Sequence, residues 1–269
     1  MMSNLKNKVA IITGGAGALG GTMAVGLAKQ GVKVAILGRT EKTVQIKIEE
    51  IKAIGGEAMG LVADVLNREQ LENVCDKVMQ LWGNIDILVN AAGGNIKGAT
   101  IMPEDSFFDM NLDDFDSVTK LNLKGTVLPT IVFGKQMAKQ GKGNVINISS
   151  MAAQQALTRV VGYSTSKASI DIFTKWLAVE MAQKHSEKIR VNAIAPGFFV
   201  GEQNRSLLLN EDGSLTARGN TIVSNTPMKR FGEAKELLST LYWLCDDNSS
   251  FITGIVVPVD GGVSAFSGV

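Results

Sequence analysis

The stretch Gly162-Tyr163-Ser164-Thr165-Ser166-Lys167 places a phenol and an ammonium four residues apart. On a helix that spacing puts both side chains on one face. A phenol with a pKa of about 10 is a poor general acid or base at neutral pH until something stabilises the phenolate, and the Lys167 charge can do so. Thirteen residues before Tyr163, the β-rich run "NVINISSM" ends in Ser149 and Ser150, and 41 residues before it lies Asn122 in "KLNLKG". A hydroxyl at Ser150 can hydrogen-bond a substrate oxygen, so the set suits proton transfer at an oxygen atom. Taken alone, YxxxK reads as a solvated helix face and Asn-Leu-Lys as a helix start. No cluster of His, Cys, Asp and Glu has metal-ligand spacing, and the single histidine, His185, sits near a helix end where a surface position is expected.

A second set of residues is suited to phosphate. "TGGAGALG" follows the apolar run "KVAII" and opens a helix-like stretch. Glycines between a strand and a helix allow a tight turn and a close approach to a pyrophosphate, whose charge the free N–H groups of the helix start stabilise. The loop fits three patterns. As GxGxxG it uses Gly15, Gly17 and Gly20; as TGxxGxxG it uses Thr13, Gly14, Gly17 and Gly20; as TGxxxGxG it matches Thr13, Gly14 and Gly20, with Ala18 where the middle glycine belongs. Glycines serving only a close strand–helix turn are the alternative to a nucleotide site.

Short apolar runs alternating with amphipathic ones must position these residues. "KVAIIT", "VKVAIL", "AMGLVAD", "IDILVN", "GNVINIS", "IRVNAIAP" and "GIVVPVD" read as strands. Between them lie helices at 18–30, closed by Gly31, at 41–54, stopped by Gly55-Gly56, over "NREQLENVCDKVMQLWG" with Asn67 as N-cap, through "LNLKGTVLPTIVFGKQMAKQ", at 162–184 and at 233–245. Continuous alternation, with strands apolar on both faces, predicts an α/β fold: a doubly wound, mostly parallel sheet in a single domain over 1–269. The irregular stretches 94–112 and 198–230 are expected to be substrate loops over the sheet edge. With 27 basic and 26 acidic residues, the chain carries no imbalance pointing to nucleic acid or an anionic membrane. No signal-like start or membrane-length apolar run is present, so a soluble, cytoplasmic protein is expected. Cys75 and Cys245 lie far apart without CxxC or CxxH neighbours and read as buried free thiols.

As an ensemble, the glycine loop, "NAAG", "NISS", YxxxK, "VNAIAPG" and "GIVVPVDGG" resemble the short-chain dehydrogenase/reductase family in its shorter, single-domain form, over nearly the whole chain. Epimerase-like relatives carry a longer serine-to-tyrosine separation and a larger C-terminal region, so the opening loop belongs with the short form carrying an alanine substitution. The resemblance implies a Rossmann fold and an NAD(P)-dependent carbonyl reductase or alcohol dehydrogenase, with Asn122, Ser150, Tyr163 and Lys167 catalytic. Tyr163 then protonates the carbonyl oxygen as hydride arrives, Lys167 also holds the nicotinamide ribose, and Asn122 holds a water that relays protons to Lys167. A non-catalytic dinucleotide-binding regulator is the alternative, against which the intact set argues.

The cofactor contacts implied are Gly14, Gly15, Gly17, Leu19 and Gly20 in the loop, Asp64 and Val65 at the adenine, Asn90, Ala91 and Gly93 after the fourth strand, and Pro196 and Gly197 at the nicotinamide amide. Asp64 also suits a helix start, and Pro196-Gly197 a plain turn. Where an acidic residue would bind the adenosine ribose hydroxyls the chain has Gly38, followed by Arg39, which can accept a 2′-phosphate; NADP is therefore favoured over NAD.

"AAGGNIKGAT", "NISSMAAQQALTRVVGYS", "APGFFVGEQNR" and "NTPMKRFG" resemble the family's D-mannonate oxidoreductase, or fructuronate reductase, subgroup. A sugar acid needs an arginine for its carboxylate, which Arg159 or Arg205 can supply, and amides for its hydroxyls, which Asn95, Gln203 and Asn204 can supply. Another keto sugar, a polyol or a 3-oxoacyl compound is the alternative substrate. The resemblance further implies a homotetramer built through helices around 115–139 and 162–184. The apolar, glycine-rich "VDGGVSAFSGV" is expected to be tied down against a neighbour or over the active site.

Overall fold

The computed structural model describes residues 4–201 and 204–267. In chain order the elements are β1 (Val9–Thr13), α1 (Ala18–Lys29), β2 (Lys33–Gly38), α2 (Glu41–Ala53), β3 (Ala58–Val62), α3 (Arg68–Trp82) and β4 (Ile87–Asn90). They continue with α4 (Leu112–Thr119), a π-helical turn (Lys120–Lys124), α5 (Gly125–Gln140), β5 (Gly143–Ile148), α6 (Val161–Lys184) and β6 (Ile189–Pro196). The last are α7 (Arg205–Leu208), α8 (Ala217–Asn225), α9 (Leu238–Cys245) and β7 (Val256–Val259).

The seven strands form one sheet in the order β3-β2-β1-β4-β5-β6-β7, and every pairing is parallel. The expected antiparallel allowance was unnecessary. β1, β5 and β6 are buried almost throughout, as strands covered on both faces must be. Alternate residues serve two cores. Ala10 and Ile12 of β1 face Met23 and Leu27 of α1, Ile48 of α2 and Leu241 of α9, whereas Val9 and Ile11 face Val74 of α3, Phe133 of α5 and Leu177 of α6. Burying a side chain of this size contributes about 1.5–3 kcal/mol, so the two layers carry the fold. The order of the strands reverses between β1 and β4, and the crevice above their carboxyl ends is where doubly wound sheets bind ligands.

The helix-start and helix-stop expectations hold in detail at α3, whose N-cap Asn67 accepts the Gln70 N–H at 3.1 Å and whose last turn closes on left-handed Gly83. Two boundaries differ. The stretch 198–230 is not merely irregular, since it carries α7 and α8, the second capped by Thr216 accepting from Gly219 at 3.0 Å. Helix 233–245 begins as a 3-10 turn, Ala234–Leu237, before α9. The thiols of Cys75 and Cys245 are free and buried, and burial pushes the Cys245 thiol up to about 12. His185 follows α6 and is exposed.

The described part of the tail is fastened over the segment that joins Ser150 to Tyr163. The Gln155 amide donates to the carbonyls of Val263 and Ser264, both at 3.2 Å, and the Asp260 carboxylate accepts from the N–H groups of Gly262 and Ser264. Among the described residues no helix is long and apolar enough to cross a membrane, and no group of three His, Cys, Asp or Glu side chains could hold a metal ion.

Candidate active site

The end of β5 and the first turns of α6 bring Ser150, Tyr163 and Lys167 together. Lys167 is 5% exposed, donates to the Ile148 carbonyl at 2.7 Å and lies 5.5 Å from the centre of the Tyr163 ring. Burial drives its pKa down to about 8, against an opposing pull from Asp171. Burial raises the Tyr163 phenol, and a hydrogen bond with the Ser150 side chain lowers it. The Ser150 hydroxyl also accepts the Ala152 N–H at 3.1 Å, which fixes its direction.

Asn122 sits in the π-helical turn between α4 and α5 and is fully buried. Its amide donates to the carbonyls of Gly94 at 2.7 Å and Val118 at 2.8 Å and accepts the Gly94 N–H at 3.0 Å. The side chain thus clamps the loop after β4 while its backbone carbonyl accepts the Thr126 hydroxyl. A Cβ on Gly93 would lie 2.6 Å from Asn122 Oδ1 and 3.5 Å from Lys167 Nζ, so glycine is what lets this loop pass between them.

The residues expected around a dinucleotide fall into two groups. Gly14 has φ +63° and its missing Cβ would lie 2.8 Å from the Ala91 carbonyl oxygen; a Cβ on Gly20 would lie 2.4 Å from the Gly14 oxygen. Those glycines therefore serve packing of β1, α1 and the loop after β4. Gly17 is the exposed N-cap of α1, with neither a side-chain cap nor an acidic residue in the first turn, and Leu19 turns its side chain into the core. This uncapped start, with Gly15 buried beneath it, fits a pyrophosphate. Ala18, in place of the missing glycine, faces Gly201 across the mouth, where an added Cβ would be 3.6 Å away. Arg39 is exposed just beyond β2, and Gly38 is required by packing, because a Cβ there would lie 2.9 Å from Val44.

Asn90 ends β4 with its side chain turned into the sheet layer. It is 1% exposed and its amide donates to Thr130 and Asn147, both at 2.9 Å, inside the sheet layer. Ala91, next in the chain, donates its N–H to Thr13 Oγ1 at 3.2 Å. Asp64 accepts the Leu66 N–H at 2.9 Å, shaping the turn after β3, and Val65 is buried. Gly197 donates to the Val259 carbonyl at 3.0 Å, so the Pro196-Gly197 step is held against β7.

The expected substrate residues separate more sharply. Arg205 is exposed at the start of α7. Asn204 spends its amide on the turn, accepting from Gly201 and donating to Phe199. Gln203 lies outside the described residues. Asn95 donates to Thr100 at 2.8 Å and its buried Oδ1 has no partner. Arg159, half-buried on the segment just before α6, has φ +77° and its carbonyl accepts the Ile101 N–H at 2.9 Å. A second arginine, missed in the sequence, lies within reach of its charge. Arg218 of α8 is half-buried, and burial together with the nearby Arg159 charge lowers its pKa. Among the described residues neither arginine has a carboxylate partner. Nothing in the spacing of the two residues announces their meeting, because it is made by the return of 198–230 over the sheet.

Comparison with known proteins gives the family and the fold. A family model described as enoyl-(acyl carrier protein) reductase matches residues 14–264. The uncharacterized oxidoreductase UxuB of Bacillus subtilis (strain 168) is 47% identical over 275 residues, covering 99% of this chain and 98% of that protein. A Haemophilus influenzae crystal structure with bound NAD, provisionally named a D-mannonate oxidoreductase, is 43% identical with a TM-score of 0.92, covering 99% of this chain and 98% of that one. A gluconate 5-dehydrogenase from Burkholderia cenocepacia, in complex with NADP and tartrate, is 28% identical with a TM-score of 0.86, covering 98% of this chain and 99% of that one.

Proposed function

Because the chain belongs to the short-chain dehydrogenase/reductase family and is an NAD(P)-dependent oxidoreductase, we propose that it interconverts a carbonyl and a secondary alcohol on a sugar acid, D-fructuronate and D-mannonate being the pair. The observation that carries this reading is half-buried Arg159, just before the helix that bears Tyr163, near enough to half-buried Arg218 of α8 for its charge to be felt there, with no carboxylate partner for either among the described residues. Two like charges held together in the absence of an acid are relieved by a carboxylate, which a guanidinium grips with two parallel hydrogen bonds. The names of the Haemophilus and Burkholderia proteins point to hydroxylated carboxylates as well.

In this reading a bound nicotinamide supplies or removes the hydride. Ser150 holds the substrate oxygen, Tyr163 gives it a proton in reduction and takes one in oxidation, and the Lys167 ammonium stabilises the phenolate between those events. Asn122 keeps the loop after β4 against Lys167. A spectrophotometric screen of hexuronates, aldonates, neutral polyols and apolar alcohols tests the substrate: turnover is expected on the acids, and robust turnover of apolar alcohols with none on the acids would sink the assignment.

NADP is the proposed cofactor, on the strength of Gly38 and the exposed Arg39 beyond β2, which forms no ion pair among the described residues. Fluorescence titration should give a lower Kd for NADPH than for NADH, and equal or tighter NADH binding would reverse the choice. A homotetramer is proposed from Ile172, Trp176 and Val179, which form one exposed apolar stripe along α6, with exposures of 64%, 60% and 55%. Light scattering at micromolar concentration should return a mass well above 28.6 kDa; the monomer mass would reject assembly.

A further inference from the structure

Four consecutive residues at the end of β5 each reach a different turn of α6. Asn147 donates to Thr174 Oγ1 at 2.9 Å, the Ile148 carbonyl accepts from Lys167, the Ser149 hydroxyl donates to Asp171, and Ser150 pairs with Tyr163. Tyr163, Lys167, Asp171 and Thr174 are spaced one turn apart, so they line a single face of the helix. Three residues of this ladder belong to the reaction. Ser149 and Asp171 do not, yet they form its only rung with a carboxylate. Asp171 is half-buried and faces Ser149 and Gln154 from the β5 end and Lys167 and Lys175 from its own helix. On its outer side a groove of about 630 Å³ is completed by Gly254, Ile255 and Val256 near β7, which add no charge.

We propose that Asp171 is a positioning residue for the reaction: through Ser149 it holds the end of β5 in the register that brings Ser150 to Tyr163, and it sets a carboxylate one helical turn from the Lys167 ammonium. The two effects have separate causes. The register depends on the hydrogen bond from Ser149, whereas the electrostatic effect depends on the Asp171 charge. Burial works against the Lys167 ammonium, and Asp171 is the carboxylate that works for it. Removing the negative charge lowers the Lys167 pKa further, so an activity that needs the ammonium is lost at a lower pH.

The proposal rests on the assignment of Tyr163 and Lys167 as the reacting pair. Its test compares Asp171→Asn, which keeps an acceptor for Ser149 but loses the charge, with Ser149→Ala, which loses the bond but keeps the charge. Reduction of D-fructuronate by NADPH, or of the carbonyl compound that the screen selects, is followed from pH 6 to pH 10 together with thermal unfolding. For Asp171→Asn the alkaline limb of kcat is expected at lower pH, with turnover down roughly tenfold at the alkaline end and little changed at the acid end. For Ser149→Ala, kcat is expected to fall roughly tenfold at every pH with the limb unmoved. A lower melting temperature in both variants with kcat and limb unchanged would show a merely structural rung and overturn the proposal. So would native turnover in both. Tyr163→Phe is measured alongside: near-native turnover there rejects the reacting pair itself, whereas its loss beside unchanged Asp171→Asn and Ser149→Ala variants rejects only the role given to Asp171.

Discussion

Tyr163→Phe is expected to lower kcat by about 10²–10⁴-fold, the range over which a positioned proton donor acts, while the Kd for NADPH changes by less than about twofold. The substitution removes one oxygen and leaves the ring in place above Lys167. Ser150 keeps its hydrogen bond from the Ala152 N–H, so its orientation survives, and loss of the phenol bond costs about 1 kcal/mol of stability. Steady-state kinetics with fluorescence titration of the cofactor check both halves. Retained turnover would mean that the proton travels elsewhere.

The second large effect concerns the arginine pair. Arg159→Ala and Arg218→Ala should each lower kcat/KM for the sugar acid by roughly 10–100-fold, the worth of a charged hydrogen bond, with little change for a neutral polyol. Because both guanidiniums address one carboxylate, the double variant should lose less than the product of the single losses. Stability should move the other way. Each substitution removes a repulsive neighbour, so the melting temperature of the free protein is expected to hold or rise. A fall in melting temperature with equal losses on acid and polyol would assign the arginines to the fold instead.

The contrast between these two predictions marks how far the chain could be read from its residues alone. Tyr163 and Lys167 were legible because they lie on one helix, where four residues are one turn, and Ser150 because it follows a buried strand by two residues. The all-parallel sheet was legible because its strands are apolar on both faces. Asp171 was within reach by the same rule, since 163, 167 and 171 continue a spacing of four. Arg218 was not. Its meeting with Arg159 is made by a polar segment whose helices rest on few apolar anchors, such as Leu208 and Ile222, too few to show a period. Asn90 shows another limit: its place at a strand end suggested the cofactor, and the bonds of its amide to Thr130 of α5 and Asn147 of β5 inside the layer were not legible.

The π-helical turn around Asn122 has a consequence for what the chain tolerates. Such a turn holds one residue more than an α-helical turn, and each residue of an α-helix advances the azimuth by about 100°. Lys120–Lys124 therefore acts as a phase shifter between α4 and α5. With the extra residue in place, Val118, Asn122, Thr126 and Thr130 point inward in sequence, each of the last three bonding the carbonyl four residues before it. Deleting Leu121 would restore an uninterrupted α-helix at no cost in helical propensity, but it would swing α5 out of phase with α4. Phe133 and Met137 would leave the core together, and Asn122 would lose Gly94. Exchanges of side chain along this segment are local events, whereas a change of its length by a single residue is a rotation of everything that follows in the helix.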